Sequence, residues 1–274
     1  MGKDWVIFTD LDGTLLDHAT YRWTAARPAL RALRLRAVPL VIVTSKTCAE
    51  VLPILRTLRP RQPFVVENGG AIYLPEDYFP LRVPAARQAM RGWLRVALGT
   101  PRPKLVAALA RAARQADVRV RSFSEMSARE VAERTGMTLG DARLACRREF
   151  DEPFILVDGS GRDAARLRAE IRRQGFDQTR GSRFFHILGN NDKGAAVRRL
   201  MGWYRRTRGA GVGALGLGDS PNDVSMLRAV DVPILVARPG RRYDRETLAS
   251  VPRVRRAGGI GPEGWNRAVL RLLT

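Results

Sequence analysis

Asp10-Leu11-Asp12-Gly13-Thr14 follows the apolar run Trp5-Val6-Ile7-Phe8-Thr9. Two carboxylates one residue apart at a strand end can divide labour, one attacking as a nucleophile and the other transferring a proton. A solvated acidic turn, with Gly13 supplying a positive φ, is the plain alternative for so short a pattern. A calcium loop does not fit, because Thr14 stands at its fifth position and no glycine at its sixth. A second acidic group, Gly218-Asp219-Ser220-Pro221-Asn222-Asp223, closes the apolar run 212–217. Ser220 is placed to cap the following helix, Pro221 suits its first position, and Asp223 suits the positive end of its dipole. That accounts for Asp223 but not for Asp219, which precedes the cap. Asp10, Asp12, Asp219 and Asp223 together form an oxygen-rich set with few nitrogen donors, a composition that favours Mg²⁺ over zinc.

Thr44 ends the apolar run Leu40–Val43 and offers a hydroxyl that can donate to a phosphoryl oxygen or simply cap the strand. Lys193 opens a helix after Asn190-Asn191-Asp192. A cation there opposes the helix dipole, so an anion is expected beside it. Of 48 basic residues only Lys3, Lys46, Lys104 and Lys193 are lysine. In so arginine-rich a chain, a retained lysine marks a place where a compact ammonium is wanted.

The elements that must position these groups alternate along the chain. Strands are expected at 5–9, 40–43, 64–66, 212–217 and 232–236, with helices at 25–36, 48–59, from 193, from 221 and from 261. That rhythm predicts an α/β fold, a Rossmann-like parallel-sheet core with helices on both faces, and ligands bind at the carboxyl edge of such a sheet. The proline-rich stretch 75–103 reads as a crossing into another domain. Beyond it, helices near 104–115, 128–135, 139–149 and 162–174 mix with strands at 118–123, 154–157 and 184–188. Ser127-x-x-Glu130 and Thr138-x-x-Asp141 are capping-box starts. The expected organisation is a core of 1–84 plus 188–274 with an α+β domain inserted at 85–187. Gly211-x-Gly213-x-x-Gly216 matches a dinucleotide fingerprint literally but lies in and before a strand, so that reading fails on context.

Taken in order, Asp10-x-Asp12-Gly13-Thr14, Thr44, Lys193 and Gly218-Asp219-x-x-Asn222-Asp223 resemble the four motifs of the haloacid dehalogenase superfamily of phosphatases. The resemblance implies Mg²⁺-dependent phosphoryl transfer through an aspartyl-phosphate and makes 85–187 the superfamily's larger α+β cap. It implies Asp10 as nucleophile, Asp12 as general acid and base, Thr44 and Lys193 as phosphate holders, and Asp10, Asp12, Asp219 and Asp223 as the metal set. A narrower group is similar to the mannosyl-3-phosphoglycerate phosphatase family: Val43–Thr47, Glu67-Asn68-Gly69-Gly70, Arg148–Phe154, Gly181–His186, Gly216–Asp223 and Gly261–Trp265. Ser45-Lys46 after the motif threonine fits that branch better than the Gly-Arg of other sugar phosphatases. It implies hydrolysis of 2-O-mannosyl-3-phosphoglycerate, with Ser45, Lys46, Glu67, Asn68, Arg183, His186, Ser220 and Asn222 binding substrate. Glu149, Asp151 and Glu152 are candidates for sugar hydroxyls, or a solvated acidic loop. The alternatives are another sugar phosphate, or the glucosyl counterpart.

The net charge of +21 over 274 residues raises a second class, a nucleic-acid binder. The arginine excess is spread along the chain rather than gathered, which argues against it. Two cysteines, Cys48 and Cys146, and two histidines, His18 and His186, make neither a disulfide framework nor a zinc site. No stretch has the length of a membrane span, and the start lacks a signal-peptide pattern, so a cytoplasmic enzyme with a small-molecule substrate is expected.

Overall fold

The computed structural model describes residues 4–58, 61–180 and 184–273, the Arg180 side chain excepted. In chain order the elements are β1 (Trp5–Thr9), α1 (Arg27–Leu35), β2 (Leu40–Val43), α2 (Cys48–Leu58), β3 (Phe64–Val66), β4 (Ala71–Pro75), β5 (Arg87–Met90) and β6 (Trp93–Ala97). Next come α3 (Arg102–Ala116), β7 (Val120–Ser122), α4 (Ala128–Thr135), α5 (Leu139–Ala145), β8 (Asp151–Leu156), α6 (Gly161–Arg173), β9 (Asp177–Arg180) and β10 (Phe185–Leu188). The chain closes with α7 (Lys193–Arg208), β11 (Gly213–Gly218), α8 (Val224–Arg228), β12 (Val232–Ala237), α9 (Arg245–Ser250), β13 (Arg255–Ile260) and α10 (Gly261–Leu273).

These elements form two compact units. The first holds the residues up to Ser45, Leu55–Val96 and the chain from Asp192 onward. Its sheet runs β13-β12-β11-β1-β2-β3-β4-β6-β5, and β13 through β3 are parallel. β2 and β3 are buried at every residue, as strands covered on both faces must be. The register sets Thr9 beside Leu217 and Ile42, and Gly218 beside Leu235. The residues leaving β1, β2, β11 and β12 therefore emerge at one carboxyl edge, where sequence order reverses across β1.

The unit boundaries differ from those expected. Residues 85–96 belong to the first unit, because β5 and β6 pair as a hairpin that extends the large sheet beyond β4. The return falls at Asp192 rather than 188, and Lys46–Ile54 joins the second unit. β5 is largely exposed, so no alternation of apolar residues announces it.

The second unit, Lys46–Ile54 with Ala97–Asn191, is built on an antiparallel sheet in the order β7-β8-β10-β9. Leu105, Leu109, Phe154, Leu167, Ile171 and Ile187 form its main core, joining α3 and α6 to the sheet. Ser127 and Glu130 close the expected capping box on α4, with Glu130 N–H to Ser127 Oγ at 3.2 Å and Ser127 N–H to Glu130 Oε2 at 2.9 Å. Thr138 caps α5 through the Asp141 N–H at 3.1 Å.

Candidate active site

Asp10 emerges from β1 held by its backbone. Its N–H donates to the Leu217 carbonyl at 2.9 Å, and its carbonyl accepts from Thr9 Oγ1 at 2.7 Å. Thr9 Oγ1 in turn accepts from the indole N–H of buried Trp265 at 3.0 Å. The Gly261–Trp265 segment thus braces the strand end from α10.

Lys193, 1% exposed, sits at the start of α7 and donates from Nζ to Asp10 Oδ1 at 2.8 Å and Asp223 Oδ1 at 2.7 Å. This is the anion that its position on the helix dipole requires. Burial would push the Lys193 ammonium down, but Asp10 and Asp223 outweigh it and hold it above its ordinary value. Asp223 closes the turn after β11: its Oδ2 accepts from the N–H groups of Asp219 at 3.0 Å and Ser220 at 3.3 Å. A Cβ on Gly218 would lie 2.5 Å from Asp223 Cβ, so only glycine admits this turn.

Asp10, Asp219 and Asp223, all buried, each offer a carboxylate oxygen, and these atoms lie within 4.8 Å of one another. Burial raises Asp10 well above the ordinary carboxylate value; Lys193 pulls against it, while Asp223, Asp219 and Asp12 push the same way. Asp219 is raised chiefly by burial and then by Asp223, with Arg238 opposing. Lys193 sits between Asp10 and Asp223, and Arg238 is shared between Asp219 and Asp244, so neither cation offsets the burial that raises Asp10 and Asp219. An all-oxygen donor set of this kind fits a hard divalent metal.

The Thr44 N–H donates to Val65 at 3.0 Å, and the Asn68 N–H donates to the Thr44 carbonyl at 2.9 Å. Glu67 and Asn68 have left-handed backbones, φ 49° and 55°. Gly69 follows at φ +99°, where a Cβ would meet the Asp192 backbone at 2.4 Å. The Glu67–Gly70 turn therefore ties the strand carrying Thr44 to the residue that caps α7. Asn68 Oδ1 is buried without a hydrogen bond, an acceptor held open at a strained turn.

Among the expected residues, the structure brings Asp10, Lys193, Asp219 and Asp223 together and links Thr44 to Asn68. Ser220 and Asn222 meet each other in the turn. Ser45 is half-buried in the first unit. Lys46, in the second unit, lies 3.9 Å from Glu50. Arg183 lies outside the described residues.

In the second unit, His186 Nδ1 lies 2.9 Å from Asp151 Oδ2, which also takes Arg148 Nη1 at 2.7 Å. Asp151 and Glu152 are fully buried in β8, so the solvated-loop reading of this run does not hold for them. Burial would raise Asp151, but His186 and Arg148 outweigh it and hold it below its ordinary value. Glu152 takes Arg102 Nε and the Ser124 N–H, the latter at 2.7 Å. Arg238, Thr9 and Asp244 also enter the site's framework without having been singled out. The signal for Arg238 is positional, since it leaves β12 at the same edge as Asp219.

A parallel sheet carrying a buried aspartate set at its carboxyl edge defines a hydrolase of the haloacid dehalogenase type, and the chain belongs to the haloacid dehalogenase-like hydrolase family, whose model matches residues 7–85. It is a phosphoric monoester hydrolase. A glucosyl-3-phosphoglycerate/mannosyl-3-phosphoglycerate phosphatase of Methanococcoides burtonii is 39% identical over 98% of this chain and 97% of its own. Its namesake from Persephonella marina is 35% identical over the same shares, 98% and 97%. The fold is similar to a haloacid dehalogenase-like hydrolase from Bacteroides thetaiotaomicron, with a TM-score of 0.67, 17% identity, and 98% and 100% of the two chains covered. A second such hydrolase, from B. subtilis, aligns at a TM-score of 0.66 with 15% identity over 98% and 99%.

Proposed function

We propose that the chain hydrolyses a glycosyl-3-phosphoglycerate, 2-O-mannosyl-3-phosphoglycerate first, to the glycosylglycerate and phosphate, with Mg²⁺ bound. The observation that carries the reading is Lys193 Nζ shared between Asp10 and Asp223 in a buried cluster of three aspartates. Asp10 attacks phosphorus, and its carboxylate becomes an aspartyl-phosphate as the alcohol leaves. Asp12 gives that alcohol its proton, then takes one from the water that hydrolyses the acyl phosphate. Lys193 works against the burial that raises Asp10 and, with Thr44, receives the phosphoryl oxygens. Asp10, Asp219 and the Asp12 carbonyl would hold the metal, with Asp223 orienting from behind. When bound, it supplies charge neutralisation between the attacking carboxylate and the phosphate.

The first unit acts as the catalytic core, with residues 87–96 of the hairpin counted to it, and the inserted unit acts as the selective cap. Ser45, Lys46, Glu67, Asn68, Arg183, His186, Ser220 and Asn222 remain the candidates for the rest of the substrate. Both relatives carry glucosyl and mannosyl in their names, which supports a glycosyl-phosphoglycerate and leaves the sugar to experiment. Cytoplasmic chemistry belongs to the same reading. Cys48 and Cys146 are not joined in a disulfide, and among the described residues no helix is long and apolar enough to cross a membrane.

Phosphate release with Mg²⁺ against a panel of glucosyl- and mannosyl-3-phosphoglycerate, mannose 6-phosphate and 3-phosphoglycerate tests it. Leaving a buried cation without the glycerate carboxylate costs about 2–5 kcal/mol, so glycosyl-phosphoglycerates should lead mannose 6-phosphate in kcat/KM by roughly 10²-fold, while 3-phosphoglycerate, which keeps the carboxylate, reads the loss of the sugar alone. Equal turnover of simple sugar phosphates would leave only a general phosphatase.

A further inference from the structure

Among the described residues, Arg238 makes a side-chain contact to Asp219 that the proposed chemistry does not use. Its Nε donates to Asp219 Oδ2 at 3.1 Å and its Nη1 to Asp244 Oδ2 at 3.1 Å. Both ends of this bridge are fixed. The Arg238 N–H donates to the Arg242 carbonyl at 2.8 Å across the Pro239–Arg241 turn. Asp244 Oδ1 accepts the Thr247 N–H and Oγ1, each at 2.8 Å, where it caps α9. The same Asp219 Oδ2 lies close to Gly13, where a Cβ would come within 3.0 Å of it. The carboxylate is thus held by a guanidinium anchored to a helix cap, at a place where the neighbouring backbone carries no side chain.

We propose that Arg238 is a positioning residue for the divalent cation: it holds the Asp219 carboxylate in its ligating orientation and thereby sets metal affinity. The inference rests on the metal-dependent reading above. The competing account makes Arg238 a counter-charge that offsets Asp219 in place of metal. The two accounts predict opposite signs. Removing a counter-charge strengthens the attraction of a dication, whereas removing an orienting partner weakens it. The two-ended grip favours orientation, because a charge alone has no need of a second anchor at Asp244. A lysine could supply the charge but not the planar fork that spans both carboxylates.

The test is calorimetric titration of Mg²⁺ into the full chain without substrate. Outer partners of metal ligands are worth roughly 10–100-fold in affinity, so Arg238→Gln should bind Mg²⁺ about 10-fold more weakly or worse. Arg238→Lys should recover only part of the loss. Asp244→Asn, which keeps the guanidinium and removes its anchor, should weaken binding in the same direction, and Arg238→Lys, which keeps the charge and loses the fork, carries the test if Arg238→Gln does not fold. At saturating Mg²⁺ the kcat of Arg238→Gln should return toward wild type, a recovery that a general structural defect would not give. Unchanged or tighter Mg²⁺ binding by Arg238→Gln and Asp244→Asn overturns the proposal. If the wild type binds no Mg²⁺, or Asp219→Asn binds it as well as the wild type, the metal reading itself fails and takes the proposal with it.

Discussion

Each unit buries a group of carboxylates beside basic side chains, and the two groups are balanced in opposite senses. In the first unit Asp10 and Asp219 stay raised, because burial exceeds what Lys193 and Arg238 return. In the second, Asp151 is lowered, because His186 and Arg148 exceed the cost of burial. Glu152 is likewise closed by Arg102 and a backbone N–H. Burial of acidic residues is therefore no mark of a reactive site. What separates the two is whether the partners within the protein complete the charge. The first group stays raised by burial in spite of its cations, while the second pairs β8 with His186 of β10.

The comparison breaks most readily at Asp10. Asp10→Asn should lower phosphate release by more than about 10⁴-fold, the scale of a lost nucleophile, with circular dichroism unchanged. Asp12→Asn should cost about 10²–10⁴-fold. Near-normal turnover by Asp10→Asn would remove the mechanism. Chelation should stop turnover and Mg²⁺ restore it; full activity in excess chelator would show that no metal serves the first group.

Stability should move the other way. Asp151→Ala leaves His186 and Arg148 without their anion, and breaking such a buried pair costs about 3–5 kcal/mol, read by denaturant unfolding. Asp219→Asn relieves a carboxylate that burial opposes and, in chelator, should stabilise by about 0.5–2 kcal/mol, as substitutions that trade function for stability do. Equal destabilisation by both would erase the contrast. The smallest effect is in pH. A depressed carboxylate contributes stability that is complete above its unfolded value, 3.8, and is lost as pH falls through its lower folded value. The gap in thermal midpoint between wild type and Asp151→Asn should therefore be constant near neutrality and narrow in acid below about pH 4. A gap that persists at the acid limit would show that Asp151 acts through packing rather than charge.

The first group was legible in the sequence because its members end apolar strands. β2 and β11 are short, fully apolar runs and β1 is apolar up to Thr9, and each stops at a polar residue that no packing rule demands. Lys193 stood out by its rarity. Arg238 did not, because it is one arginine among Arg241, Arg242 and Arg245, and its role comes from pairing across strands. The hairpin of β5 and β6 was missed because it lies in a proline-rich stretch with an exposed outer strand. β9 and β13 carry Gln178, Arg180, Arg255 and Gly258, which give no alternating apolar signal. The pairing of Asp151 with His186 spans 35 residues and depends on the antiparallel register of β8 and β10, which local sequence does not encode.

The sheet order has a consequence for how the chain becomes active. β1 has one neighbour, β2, made within the next few dozen residues, and another, β11, made some two hundred residues later. The brace on Thr9 waits still longer, for Trp265. Pairings so distant along the chain are slow to close, since the loop must be ordered before the contact rewards it. Until β11 pairs, the Asp10 N–H has no Leu217 carbonyl to donate to, and until α10 docks, Thr9 has no indole N–H. The aspartate at the end of the first strand is thus set in place by residues drawn from the far end of the sequence.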